Sequence, residues 1–268
     1  MMLSVVMPIA RIDGFLRETL LSVASQTFKD FELIAVCDLN LRDDLEAIFN
    51  GLSLDFSYKI IHTRLKGVAF AANLGIAESR ATYLARWDSD DLCDPHRFER
   101  QIAEFEADKS LGVIGTKVVI IGEDGIPSEF QKYRFYGDDK SIRHALKFRQ
   151  PLLHSSLMFR SEIIFKNKGY MYGHTSEDHE MFIRIARDPS VVFKNLNDVQ
   201  TYYRRHSAQL SDVANQKRHF CEISGFMFTE FLMTRNPLYI FGMLVNFPPF
   251  RRVRYGYRSF RQFLKRLN

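Results

Sequence analysis

The stretch from Leu3 to Asp38, LSVVMPIARIDGFLRETLLSVASQTFKDFELIAVCD, decides the fold class. Leu3 to Pro8 is a compact β-branched apolar run that stops at a proline, so it reads as a buried strand. Asp13 offers a side-chain oxygen to open a helix running through Gln26, with Phe15, Leu16, Leu20 and Val23 on one face. Phe31 to Val36 is a second apolar run of strand length. Two buried strands joined by an amphipathic helix make a β-α-β unit, the building block of a parallel sheet.

The pattern then repeats. Leu41 to Asn50 reads as a helix, Phe56 to His62 as a third strand, Gly67 to Ser79 as a small-residue helix and Ala81 to Trp87 as a fourth strand. Pro95 suits the start of a helix that reaches Ala107. The alternation predicts an α/β fold with a mostly parallel, doubly wound sheet flanked by helices. Such sheets bind ligands beyond the carboxyl ends of their strands, where Pro8, Asp38 and Asp88 fall. The second half is less regular. Gly112 to Ile121 reads as a strand, GEDG at 122–125 as a turn, and Leu157 to Arg160 as a short apolar segment. Thr175 or Ser176 can cap a helix from Glu177 to Arg187, Val191 to Phe193 and Gln200 to Arg204 read as separate strands, and a long helix spans about Ser211 to Thr234.

Composition narrows the function classes. A hydrophobic share of 46% and a charged share of 26% over 268 residues suit one large globular domain with a small appendage. The three cysteines lack CxxC spacing, which implies neither a zinc site nor a disulfide framework and fits a reducing cytoplasm. The N-terminus has no basic segment of the signal-peptide kind, and the late apolar stretch from Pro237 is too short to span a bilayer. Net charge is +5, but no acid follows Glu230 and eight bases do. The body therefore carries 29 bases against 32 acids, which argues against nucleic acid as its partner and points to a partner for the tail. There, Tyr239, Phe241, Leu244, Phe247 and Phe250 precede Arg251, Arg252 and Arg254. Aromatics beside a basic cluster suit the headgroups of an anionic membrane, while a solvated helix face is the plainer reading.

The chemistry gathers in YLARWDSDDLCDP, residues 83–95. In an extended segment Asp88 and Asp90 point to the same side. Two hard carboxylates there suit Mg²⁺ or Mn²⁺, with substrate phosphates completing the shell. Asp91 would stand behind them, and Asp94 before Pro95 reads as a helix cap. Asp38 can accept from a nucleobase or a ribose, or cap the helix near Leu41. Glu177 and Asp178 can serve as a general base at a helix start, although the helix dipole favours acids there in any protein. His206 reads as a loop histidine or a third metal ligand, and His154 is equally open. A Ser-His-Asp hydrolase built on His154 lacks the GxSxG elbow.

Taken in order, SVVMP, SVASQTFKDFELIAVCD, AANLGIAESRATYLARWDSDD, HSSLMF, SEDHEMFIRIA and YRRHSAQLS resemble the family 2 glycosyltransferases of GT-A fold. The resemblance implies a glycosyltransferase domain over 1–210, with a nucleotide-binding half to about 95 and an acceptor half from about 96. A helical, basic-aromatic extension would follow over 211–268. It implies an inverting, metal-dependent transfer from a nucleotide-diphosphate sugar, UDP by default, to a saccharide or lipid-linked saccharide acceptor. Polysaccharide or lipopolysaccharide assembly, in the cytoplasm or on the inner face of its membrane, is the implied setting. It assigns Pro8, Asp38, Asn73, Asp88, Ser89 and Asp90 to the donor, and Asp88, Asp90 and His206 to Mn²⁺ or Mg²⁺. Asp178 becomes the catalytic base, with Glu177 and His154 on the acceptor side. The sequence departs from the family pattern at Ala10-Arg11, at Cys37-Asp38-Leu39-Asn40 and at Ala72, all on the nucleotide side. A non-catalytic nucleotide-sugar binder, a metal-dependent sugar-phosphate phosphatase and a nucleotidyltransferase are the alternatives. The phosphatase places its DxD pair on the first strand, and the nucleotidyltransferase opens with a glycine-rich basic loop.

Overall fold

The computed structural model describes residues 1–128, 133–206 and 216–247. The first half follows the expected alternation: β1 Leu3–Ile9, α1 Gly14–Ala24, β2 Phe31–Asp38, α2 Arg42–Asn50, β3 Ser57–Thr63, α3 Val68–Glu78 and β4 Tyr83–Arg86. A turn leads into the two-residue β5 Leu92–Cys93 and then α4 Arg97–Ala107. The second half contains β6 Leu111–Ile121, α5 Asp139–Leu146, β7 Met158–Arg160, α6 Ser161–Lys166, α7 Glu177–Ile185, β8 Val192–Arg204, α8 Gln216–Thr234 and α9 Leu238–Asn246. The expected boundary at 210, the helix start near Ser211, and Phe250, Arg251, Arg252 and Arg254 lie outside the described residues.

The strands form one eight-stranded sheet in the order β3-β2-β1-β4-β7-β6-β8-β5. β3, β2, β1 and β4 run parallel, as the β-α-β reading requires. The sheet becomes mixed beyond β4, because β7 enters antiparallel between β4 and β6, and β5 lies antiparallel on β8. β8 joins the two short runs that the sequence suggests as separate strands. Its polar Asn197 and Asp198 are accommodated where the β6–β8 register shifts between Thr116 and Lys117. Polar residues at a bulge interrupt the apolar pattern without ending the strand.

Alternation along β1 feeds two cores. Val5 and Met7 pack with α1, α2 and α4 through Leu16, Leu20, Phe49, Phe98 and Phe105. Val6 turns to the opposite face, where Ala72, Ile142, Phe182, Ile223 and Tyr239 from α3, α5, α7, α8 and α9 meet. Period-two side chains on a central strand covered on both sides produce this three-layer arrangement. α3 lies close on β1 because Gly75 has no side chain: a Cβ there would meet a Val6 methyl at 2.6 Å. The small-residue character of that helix is thus a packing requirement. The described parts of α8 and α9 also belong to the core, since Ile223, Met227 and Tyr239 are buried in it.

Candidate active site

β4 ends at Arg86, and the next residue, Trp87, is fully buried. Its ring meets Phe98 edge-on at 5.6 Å and lies under the buried Arg97 guanidinium at 4.7 Å. The Trp87 indole N–H donates to the Asp91 carbonyl at 3.2 Å, and the Asp91 N–H donates to the Asp88 carbonyl at 3.4 Å. The acidic segment is therefore a tight turn folded over an aromatic anchor, and not the extended segment the alternation argument assumed. β5 then pairs Leu92 with Tyr202 of β8, which ties the turn to the far edge of the sheet.

The acids of this turn have different tasks. Asp91 is fully buried and accepts from the Arg204 backbone N–H at 2.8 Å and from the Ser155 hydroxyl. Burial, and then the charges of Asp88 and Asp90, push its carboxyl well above the usual range. Asp91 thus holds the turn together from below. Asp88 pairs with the buried Arg86 guanidinium at 2.7 Å, and Arg86 also donates to the Trp87 carbonyl. Asp90 Oδ2 lies 2.9 Å from His206 Nε2 and 3.9 Å from the Arg11 guanidinium. Burial and the Asp88 charge raise the Asp90 carboxyl, while His206 pulls it down. Arg11 also reaches His206 at 2.9 Å and Asp13 at 2.7 Å. Ser89 lies half-buried between the two acids.

Pro8 and Asp38 stand near the carboxyl ends of β1 and β2, and Asn73 lies midway along α3. β1 runs one residue past Pro8, which is buried in register with Val36. Asp38 closes the single 3₁₀ turn Leu39–Leu41, accepting from the Asn40 N–H at 3.0 Å, with Lys66 Nζ at 3.8 Å. Beneath it, Cys37 Sγ lies 3.2 Å from His62 Nδ1, and His62 Nε2 lies 3.2 Å from Glu46. Burial first, then the charges of Asp38 and Glu46, push the Cys37 thiol up to about 11, so it is no nucleophile. Asn73 uses its whole amide on one residue, donating to the Tyr170 carbonyl at 2.7 Å and accepting from the Tyr170 N–H at 2.8 Å. It ties α3 to the segment that leads to α7.

α7 brings in Glu177 and Asp178. Burial raises both carboxyls; the Asp178 charge takes Glu177 to about 8, and the Arg86 charge opposes this. The Asp88 charge raises both as well, so the two acidic groups lie within reach of one another's field. Ser176 occupies the N-cap position, but its hydroxyl is 2.7 Å from His219 Nδ1 and does not cap the helix. The Asp178 carboxylate instead accepts from the His179 N–H at 2.6 Å. His154 lies in the core, bonded to the Tyr170 hydroxyl and edge-on to Phe182. Burial, and then Arg86, hold its imidazole well below the usual pKa. Through Tyr170 it is tied to the segment that leads to α7.

Sequence reasoning passed over Arg86, Arg11, Arg204, Glu222 and His219. A signal existed only for Arg86, an arginine inside an apolar strand. Arg204 donates to the Asp90 carbonyl at 3.0 Å, stacks 4.6 Å over Phe15 and pairs with Glu18 at 2.6 Å. Among the described residues no three His, Cys, Asp or Glu side chains converge as a metal cage. The residue types still fit a divalent ion: two carboxylates of one turn that repel each other, with an imidazole at 2.9 Å from the second. Mg²⁺ and Mn²⁺ take few protein ligands and fill the shell with water and phosphate oxygens.

The model of the family described as "Glycosyl transferase family 2" matches residues 4–167. The O-antigen biosynthesis glycosyltransferase WbnJ of Escherichia coli is 32% identical over 240 residues, covering 87% of this chain and 90% of that protein. The amylovoran biosynthesis glycosyltransferase AmsE of Erwinia amylovora is 26% identical, covering 76% and 74%. Among solved structures, S. aureus TarS 1–349 in complex with UDP-GlcNAc superposes with a TM-score of 0.67 at 16% identity, over 85% of this chain. The chain spans 66% of that structure's length, and the likeness is one of fold. No helix among the described residues is long and apolar enough to cross a membrane.

Proposed function

The chain belongs to glycosyl transferase family 2, and we propose that it moves a sugar from a nucleotide-diphosphate donor to an acceptor hydroxyl with inversion, in the assembly of a cell-surface polysaccharide or lipopolysaccharide. The observation that carries this reading is a pair of acidic groups that feel one another's charge. Asp88 and Asp90 stand on the turn after β4, and Glu177 and Asp178 stand at the start of α7. UDP is the proposed nucleotide, supported by UDP-GlcNAc in the TarS complex.

Asp88 and Asp90, with His206 alongside, would hold Mn²⁺ or Mg²⁺, which supplies Lewis-acid neutralisation of the leaving diphosphate. Arg86 fixes the Asp88 carboxylate, and Arg204 fixes the backbone at Asp90. Asp38 faces the nucleoside, and Asn73 contributes by holding Tyr170 in place. Glu177, its carboxyl raised to about 8 by burial and then by the Asp178 charge, stands beside the proposed base. Asp178 then accepts the proton of the acceptor hydroxyl as that oxygen attacks the anomeric carbon, and the bond to the diphosphate breaks on the opposite face. One displacement turns an α-linked donor into a β-linked product. Replacing Asp178 by Asn should lower transfer by about 10²–10⁴-fold and leave UDP affinity with Mn²⁺ nearly unchanged. Wild-type transfer by the Asn variant would refute the assignment.

We also propose that the C-terminal region meets an anionic bilayer carrying a lipid-linked acceptor. Phe228, Leu232 and Met233 of α8 and Phe241 and Leu244 of α9 are exposed, and seven bases follow Phe247 in the sequence. Apolar side chains beside a cationic segment suit the headgroup layer.

A further inference from the structure

α8 begins beyond the stretch that the family model matches, yet its first turns grip the loop that launches α7. Glu222 Oε2 accepts from the His174 N–H at 3.1 Å, the Thr175 N–H at 3.0 Å and the Thr175 hydroxyl at 3.1 Å. Arg218, one turn earlier on α8, holds the other carboxylate oxygen at 3.2 Å. His219 Nδ1 lies 2.7 Å from the Ser176 hydroxyl and 3.3 Å from the Thr175 carbonyl. Two side chains of one helix therefore occupy the polar groups of three consecutive loop residues.

The loop needs that support. Gly173 has φ +98, and a Cβ there would come within 2.9 Å of the Glu177 N atom. The chain doubles back tightly against the start of α7, and the usual cap is missing because the Ser176 hydroxyl faces His219. Peptide N–H groups in such a turn need an acceptor, and a carboxylate taking two of them is among the stronger arrangements.

We propose that Glu222, with His219, is a positioning residue for transfer: α8 sets the angle at which the start of α7 presents Glu177 and Asp178. This rests on the reading of Asp178 as the base. The apolar face of α8, with Phe228 and Leu232, lies one to three turns further along the same helix. The C-terminal region is thereby built into the acceptor half of the catalytic unit.

The test uses the full-length chain with Glu222→Ala and Glu222→Gln. Amide exchange at His174 and Thr175 is measured alongside release of UDP, using the UDP-sugar that most stabilises the wild type in a thermal-shift screen with Mn²⁺. In Glu222→Ala, exchange at both amides should quicken at least tenfold, and kcat should fall about tenfold or more, as small misplacements of a reacting group do. The affinity for UDP with Mn²⁺ should stay within about twofold, because the donor side is untouched. Gln keeps a carbonyl oxygen for the two N–H groups, so it should restore kcat to within about threefold of wild type. Unchanged exchange in Glu222→Ala would overturn the proposal, and so would faster exchange with wild-type kcat or a Gln variant no better than Ala. A wild type that releases no UDP from any UDP-sugar would count against glycosyl transfer itself, and amide exchange alone would then decide the clamp.

Discussion

Replacing Glu177 by Gln should make the protein more stable at alkaline pH, by an amount that grows with pH. The Glu177 carboxyl rises from 4.5 to about 8, chiefly through burial and then through the Asp178 charge. The native state therefore holds this proton more tightly than the unfolded chain does. The stability it contributes is complete below pH 4.5 and is lost as pH climbs to about 8. At 1.36 kcal/mol per pH unit the whole span is worth about 5 kcal/mol. Asp178 shares the field and the site is partly open to water, so about 2–5 kcal/mol is the working range. Gln has the same shape and carries no charge at any pH. The variant should match the wild type near pH 4.5 and exceed it by that amount near pH 8.5. Urea unfolding of the metal-free chain would read this as a midpoint shift of about 1–2 M, with slopes of roughly 2–3 kcal/mol/M. Curves that stay parallel from pH 4.5 to 8.5 would refute the reasoning. If Asp178→Asn, and not Glu177→Gln, produced the pH-dependent gain, the proton would sit on Asp178 and the roles of the two acids would be exchanged.

Two further outcomes follow from the site and its surroundings. Asp90→Ala should weaken UDP binding about tenfold or more in the presence of Mn²⁺, and unchanged affinity by calorimetry would count against the metal site. A chain ending at Phe247 retains the buried Tyr239 and Asn246, so it should fold. It should lose co-sedimentation with anionic liposomes while keeping UDP binding, and retained co-sedimentation would remove the basic tail from the membrane reading.

Much of the first half, through α4, is legible because its signals are local. Apolar runs of strand length, an Asp at a helix start and a Trp behind an acidic turn depend on neighbours within one element. Those signals place β1 to β4 and their helices within a residue or two. The second half depends on pairings between distant segments, and there the local reading thins out. β7 is only three residues long, and the bulged β8 looks like two strands because Asn197 and Asp198 interrupt its pattern.

The candidate site divides in the same way. Asp88, Asp90 and Asp178 are visible as acids at element ends, where backbone geometry makes carboxylates useful. Asn73 and His154 look like ligand contacts in sequence, but the Asn73 amide and the His154 Nε2 are both engaged by Tyr170. No motif encodes that, since Tyr170 lies 97 positions from Asn73.

The amino-acid sequence by itself determined the order of strands and helices from β1 to β4, the family, and which carboxylates stand at strand and helix ends. These follow from side-chain periodicity and short-range backbone chemistry. Only the tertiary structure decided which cation faces which acid: Arg86 on Asp88, Arg11 and His206 at Asp90, and α8 beneath the loop before α7. All but the Arg86–Asp88 pair join distant segments, His206 and Asp90 across 116 positions. They arise from sheet order and helix packing, and neither is written in any one segment of the chain.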